Sequence, residues 1–171
     1  LNTALGHGSL SGNTTGGYNT SVGVSSLSQN STGISNVAVG YASGLSITTG
    51  SGNTAVGTLS MYTGGPSFVT GSNNTALGND TLRLLTSGNY NVAIGSWAMY
   101  NTVTAASNVA VGVSALTSNA SGANNVALGY QAGNLITSGA NNILVGAAPT
   151  GANDNLTTGS NNIKIGYNIS F

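Results

Sequence analysis

A five-residue unit, Asn-[Thr/Val/Ile]-x-[Val/Leu/Ile]-Gly, recurs along the whole chain and ends at Gly6, Gly23, Gly40, Gly57, Gly78, Gly95, Gly112, Gly129, Gly146 and Gly166. Successive units are 17 residues apart, except for one spacing of 21 and one of 20. A fixed period of this length means one small structural unit stacked on copies of itself, because a single unit cannot bury its own apolar side. Ten residues past most motif glycines stands a second one, as at Gly16, Gly33 and Gly50, always preceded by Ser or Thr. Ala105 takes its place in one repeat. Four residues past the motif Gly comes Leu10, Leu27, Met61, Leu82, Met99 or Leu116, and in two repeats Gly44 or Gly133.

Frequent glycine and β-branched residues alternating over short distances argue against helices. The chain is therefore expected to be all-β, a parallel β-roll or β-helix solenoid of about ten 17-residue coils. Each coil is expected to hold two short strands of roughly four or five residues, cornered at the glycines. At about 4.8 Å per step, ten coils make a rod on the order of 45–50 Å long. Residues 1–171 read as one domain, with the extra residues expected as loops near 63–67 and 148–152 on one side. The chain opens in mid-motif at Leu1, which reads as a piece of a longer fibre protein.

Alternation within the motif separates two faces. The residue before each Gly is aliphatic (Leu5, Val22, Val39, Val56 and onward to Ile165) and is expected to form the core. The opposite face is mostly Ala, as at Ala38, Ala55, Ala93 and Ala110. A strand apolar on both faces is usually covered on both, so the Ala column is expected to meet another chain. A homotrimer with its coils side by side is the most economical arrangement. The alternative is a solitary solenoid with its alanines facing water. The repeated Asn and Gly, including Asn36, Gly40, Asn53, Gly57, Asn91, Gly95, Asn108 and Gly112, read as structural. The Asn amides suit turn backbone groups and the Asn one coil away.

Charge narrows the possible functions. The chain holds 2 Lys+Arg, 2 Asp+Glu, 1 His and no Cys. Arg83 and Lys164 cannot supply a phosphate-binding surface, so no nucleic-acid partner is expected. There is no run of 18 apolar residues, so membrane insertion is not expected either. His7, Asp80 and Asp154 lie too far apart in the repeat for a metal site, a triad or a carboxylate pair. The expectation is a protein without catalytic residues, metal or cofactor.

Binding is better sought where the repeats differ. Tyr62, Phe68, Arg83, Trp97 and Tyr100 fall in neighbouring coils and form the candidate ligand patch, since exposed rings beside amides suit sugar stacking. The competing reading has these rings covering corners or plugging a seam. A further regularity is the Ser/Thr ladder before the second Gly, doubled in Thr14-Thr15 and Thr48-Thr49. A regular uncharged array of this kind could bind ice or mineral, although its second column breaks at Val69, Val103 and Ala120.

Through Asn36-Val37-Ala38-Val39-Gly40 and Asn53-Thr54-Ala55-Val56-Gly57, with the intervening Leu and Thr-Gly, the chain resembles the head repeats of trimeric autotransporter adhesins. It is also similar to repeats in phage and algal-virus tail-fibre proteins. The resemblance covers essentially the whole chain and implies a left-handed β-roll, three chains packed together, on a virion or bacterial cell surface. It implies attachment to host surface glycans or proteins, with a purely structural shaft as the alternative. The bacterial heads commonly have a shorter period and more charge, which brings the chain nearer the fibre-type relatives. The motif is architectural and carries over no catalytic residue.

Overall fold

The computed structural model describes residues 1–148 and 156–167. One strand of three residues forms at each motif: β1 (Thr3–Leu5), β2 (Thr20–Val22), β3 (Val37–Val39), β4 (Thr54–Val56), β5 (Thr75–Leu77), β6 (Val92–Ile94), β7 (Val109–Val111), β8 (Val126–Leu128), β9 (Ile143–Val145) and β10 (Ile163–Ile165). They make a single parallel sheet in sequence order, so the chain is an all-β solenoid of about nine turns. The register is unbroken. Thr54 pairs with Thr75 across the longer coil, and Ile143 pairs with Ile163 across the next longest.

The two faces of the sheet are the reverse of the sequence expectation. Ala38, Ala55, Ala93 and Ala110 are 0% exposed and form one wall of the coil interior. The aliphatic column points outward, and Val39 on it is 37% exposed. The reason is the short circumference of a 17-residue coil. Its interior has room for one layer of large side chains, and Leu27, Ile47, Met61, Leu82, Leu85, Met99, Leu116 and Ile136 supply it from the far wall. From β3 to β8 the sheet opposite presents only the methyl group of Ala, and the larger Leu144 enters in β9 beside Gly133, where no Cβ occupies the space.

The expected second strand is also absent among the described residues, apart from one bridge between Ile47 and Val69. Leu27, Met61, Leu82, Met99 and Leu116 are fully buried, but their φ lies between 48° and 52°. That left-handed conformation costs roughly 1–2 kcal/mol per residue and prevents an extended strand. Burial and coil-to-coil hydrogen bonds offset it. Leu27 N–H donates to the Ser43 carbonyl at 3.0 Å, and Met99 N–H to the Ala115 carbonyl at 2.9 Å.

In several coils only one of two interior positions three residues apart carries a large aliphatic side chain, although Leu82 and Leu85 fill both. Leu27 is followed three residues later by Asn30 and Leu116 by Asn119, whereas Gly44 is followed by Ile47 and Gly133 by Ile136. A Cβ at Gly44 would stand 3.1 Å from Ile47 Cδ1 and 3.0 Å from Leu27 Cδ2. The Gly therefore makes room for the branched side chain that replaces the missing Leu.

From Asn2 to Asn142, the side-chain oxygen of each motif Asn accepts from the backbone N–H of the motif Asn in the next coil. Asn36 Oδ1 accepts from Asn53 N–H at 2.9 Å, while Asn36 Nδ2 donates to the Gly50 carbonyl at 2.9 Å. Asn91 and Asn108 repeat the pattern, with Asn108 N–H reaching Asn91 Oδ1 at 3.1 Å and Asn108 Nδ2 reaching the Gly122 carbonyl at 2.9 Å. Both polar ends of these buried amides are thus satisfied. Gly40, Gly57, Gly95 and Gly112 close the strand with φ between 123° and 140°. At Gly95 a Cβ would lie 2.6 Å from the Gly112 carbonyl oxygen, so stacking leaves no space for one.

Of the extra residues expected around 63–67, Thr63 is buried and residues 64–68 are exposed. Thr63 anchors the base of this loop, its N–H donating to Ser46 Oγ at 3.1 Å. Of the second expected loop, only Ala148 falls among the described residues, and it is buried.

Candidate functional site

Stacking in register turns positions within the repeat into columns on the surface. Asp80 and Trp97 each lie two residues past a motif Gly, and Tyr62, Arg83, Tyr100 and Thr117 each lie five past one. These two columns run side by side. Where they meet, Asp80, Arg83, Trp97, Tyr100 and Thr117 line a surface recess of about 270 Å³.

Arg83 organises this patch. Its guanidinium pairs with Asp80, both side chains being mostly buried, and its Nε donates to the Tyr62 carbonyl at 2.7 Å. The guanidinium carbon sits 4.8 Å from the centroid of the Tyr62 ring, a cation–π distance. Asp80 uses its second oxygen to accept from Asn79 Nδ2 at 2.7 Å. Arg83 is therefore neutralised and held on three sides.

Trp97 is 53% exposed, yet its backbone is firmly held. Its N–H donates to the Asn79 carbonyl at 3.0 Å and its own carbonyl accepts from Tyr100 N–H at 3.3 Å, while Thr117 Oγ1, 3.3 Å from that carbonyl, makes its shorter bond to the Ser114 carbonyl at 2.5 Å. A large ring is thus presented to solvent from a rigid corner.

Of the residues named from sequence, Arg83, Trp97 and Tyr100 meet in the recess, and Tyr62 supports Arg83 from behind. Phe68 does not line the recess. It is exposed on the 64–68 loop, whose Gly64 lies beside an Arg83 terminal nitrogen. Asp80 and Thr117 escaped the sequence reading. Counting from the motif Gly would have placed both, since Asp80 shares its column with Trp97 and Thr117 shares its column with Tyr100.

Two other surfaces are regular. The outer face of the sheet carries Thr, Val, Leu and Ile in two columns, half-buried to exposed from β2 to β9. The hydroxyl column before the second Gly is exposed in every coil, from Thr15 and Thr32 to Ser138 and Thr158. Its neighbour is occupied with structure. Thr14 Oγ1 donates to the Ser31 carbonyl at 2.8 Å, and Thr137 Oγ1 to the Thr157 carbonyl at 2.9 Å.

Among the described residues no three of His, Cys, Asp and Glu come together, and no helix is long and apolar enough to cross a membrane. His7 lies exposed in the first coil, four coils from Asp80. Comparison with family models, curated proteins and solved structures finds no match for this chain.

Proposed function

We propose that this chain is a non-catalytic segment of a surface fibre, on a virion or a bacterial cell, that attaches to host surface glycans or proteins as a homotrimer. The observation that carries the reading is the outer face of the sheet. An uninterrupted parallel sheet with aliphatic residues on its outer side is normally covered. A second and third copy can cover it coil for coil, because every copy offers the same columns at the same spacing. Three-fold closure leaves no copy with a bare face. The seam is then the Val and Thr columns, rather than the Ala column the sequence suggested.

Attachment is favoured by exposed aromatic side chains on the other surfaces, of which Trp97 is the largest. With so little charge there is little electrostatic steering, so useful affinity would come from equivalent sites binding together. A second reading, a purely structural shaft, is favoured by the density of coil-to-coil hydrogen bonds, which makes the rod stiff whether or not it binds.

Multi-angle light scattering of the chain at several concentrations tests the assembly, and a glycan array with host-cell binding tests attachment. A stable mass near three times 16.7 kDa with saturable binding is the expected result. A persistent monomer would overturn the seam. A trimer that binds neither glycans nor cells would leave the shaft.

A further inference from the structure

We propose that the recess between the Asp80–Arg83 pair and the Trp97 ring is a subsite for one uncharged hexopyranose. The proposal rests on the attachment reading above and names its ligand. Three observations lead to it. The first is shape and size. At about 270 Å³ the recess lies just below the range of drug-sized pockets, roughly 300–1,000 Å³, which suits a single ring better than a chain of them.

The second is the arrangement of apolar and polar groups. Trp97 and Tyr100 supply aromatic rings for the C–H face of a sugar ring, while Asp80, Arg83 and Thr117 supply polar groups to the same recess. Asp80 and Arg83 each keep hydrogen-bonding capacity beyond the bonds already described. A carboxylate accepts at about four positions and a guanidinium donates at five. Sugar hydroxyls both donate and accept, so they can use both members of the pair at once.

The third is charge. Arg83 is already paired with Asp80 and stacked on Tyr62. An acidic sugar would bring a carboxylate beside Asp80 with no uncompensated cation to receive it. The same recess therefore discriminates against sialic and uronic acids. Affinity of one recess should be weak, with half-saturation in the millimolar range, and become useful only through multiple copies.

Trp97 is the only tryptophan in the chain, so its fluorescence reports on this recess alone. The test is a titration of the full chain with the methyl pyranosides of glucose, galactose, mannose and N-acetylglucosamine. N-acetylneuraminic and glucuronic acids serve as the charged counterparts. The expected result is a saturable change in Trp97 emission with at least one neutral glycoside and none with the acids. Half-saturation should rise at least tenfold in Tyr100→Ala, which keeps the reporter. Thr117→Val, the milder change, should weaken binding several-fold while circular dichroism shows an unchanged fold.

No saturation by any neutral glycoside up to about 50 mM, well above a millimolar site, would overturn the proposal, as would saturation by the acids alone. If the glycan array or host cells are bound equally by the unchanged chain and Tyr100→Ala, the subsite is wrong and attachment stands elsewhere. A chain that binds neither array nor cells removes the attachment reading itself.

Discussion

The side-chain oxygen of Asn53 accepts two hydrogen bonds from Asn74, one from its backbone N–H at 3.0 Å and one from its carboxamide at 3.1 Å. Twenty-one residues separate these asparagines, against seventeen elsewhere in most of the stack. The ladder therefore carries the register across the loop at 64–68. The extra residues are expelled to the surface, and the next strand is not shifted.

Removing a rung should be expensive in the middle of the rod. In Asn74→Ala the buried N–H of Asn91 and the carbonyl of Gly88 both lose their partner. Two orphaned buried groups at about 1–3 kcal/mol each predict a loss of about 3 kcal/mol in urea or thermal unfolding. In Asn2→Ala only the N–H of Asn19 is orphaned, because the Gly16 carbonyl keeps its bond from Asn13 Nδ2, so the cost should be smaller, about 1 kcal/mol.

Glycine positions should divide sharply. Gly95→Ala forces a Cβ against the Gly112 carbonyl and strains a φ of 123°, so the protein should melt well below the parent or accumulate as insoluble material. Gly17 has nothing within 4 Å of its added Cβ. Gly17→Ala should therefore leave the melting temperature within the equivalent of about 0.5 kcal/mol.

The reversal of the faces can be checked by two substitutions on neighbouring residues of β7. Ala110→Leu overfills the interior and should destabilise by about 1–3 kcal/mol. Val109→Glu lies on the outer face and should leave the far-ultraviolet spectrum unchanged while lowering the mass seen by light scattering. Loss of the fold in Val109→Glu with Ala110→Leu tolerated would invert this assignment.

Thr102 sits where other coils place Asn30 or Asn119, and its buried hydroxyl has no hydrogen-bond partner. Asn119, by contrast, bonds both the N–H and the carbonyl of Gly122, each at 2.9 Å. Thr102→Val replaces an unsatisfied hydroxyl by a methyl of the same shape. It should raise stability by about 1 kcal/mol, read as a shift of the urea midpoint.

Arg83 ties the recess to the loop above it. Arg83→Ala removes the pair with Asp80, the bond to the Tyr62 carbonyl and the stacking on the Tyr62 ring. Limited chymotrypsin digestion should then cut faster at the exposed Phe68, with a stability loss of about 1–2 kcal/mol. Unchanged cleavage would mean that Thr63 alone anchors the loop.

The repeat of Asn-x-x-x-Gly determined the solenoid, its parallel order and its coil boundaries without any coordinates. An amide that must pair with its copy and a Gly that must pass another backbone are local demands, repeated identically. The same register places Arg83 and Tyr100 in one surface column and Trp97 in the next. Sequence could not determine which face of the motif strand is inside. Hydrophobicity favours burying Val39 over Ala38, and only closure of the coil shows that Leu27, Ile47 and Met61 already fill the interior. Nor could it foresee that Leu82 and Met99 would be buried in left-handed turns in place of a second strand, since that depends on hydrogen bonds to the neighbouring coil. Asp80 falls in the column of Trp97 by counting alone, but its pairing with Arg83 could not be found by counting. It reaches Arg83 because the chain turns sharply between them, at Leu82, and that turn exists only in the stack.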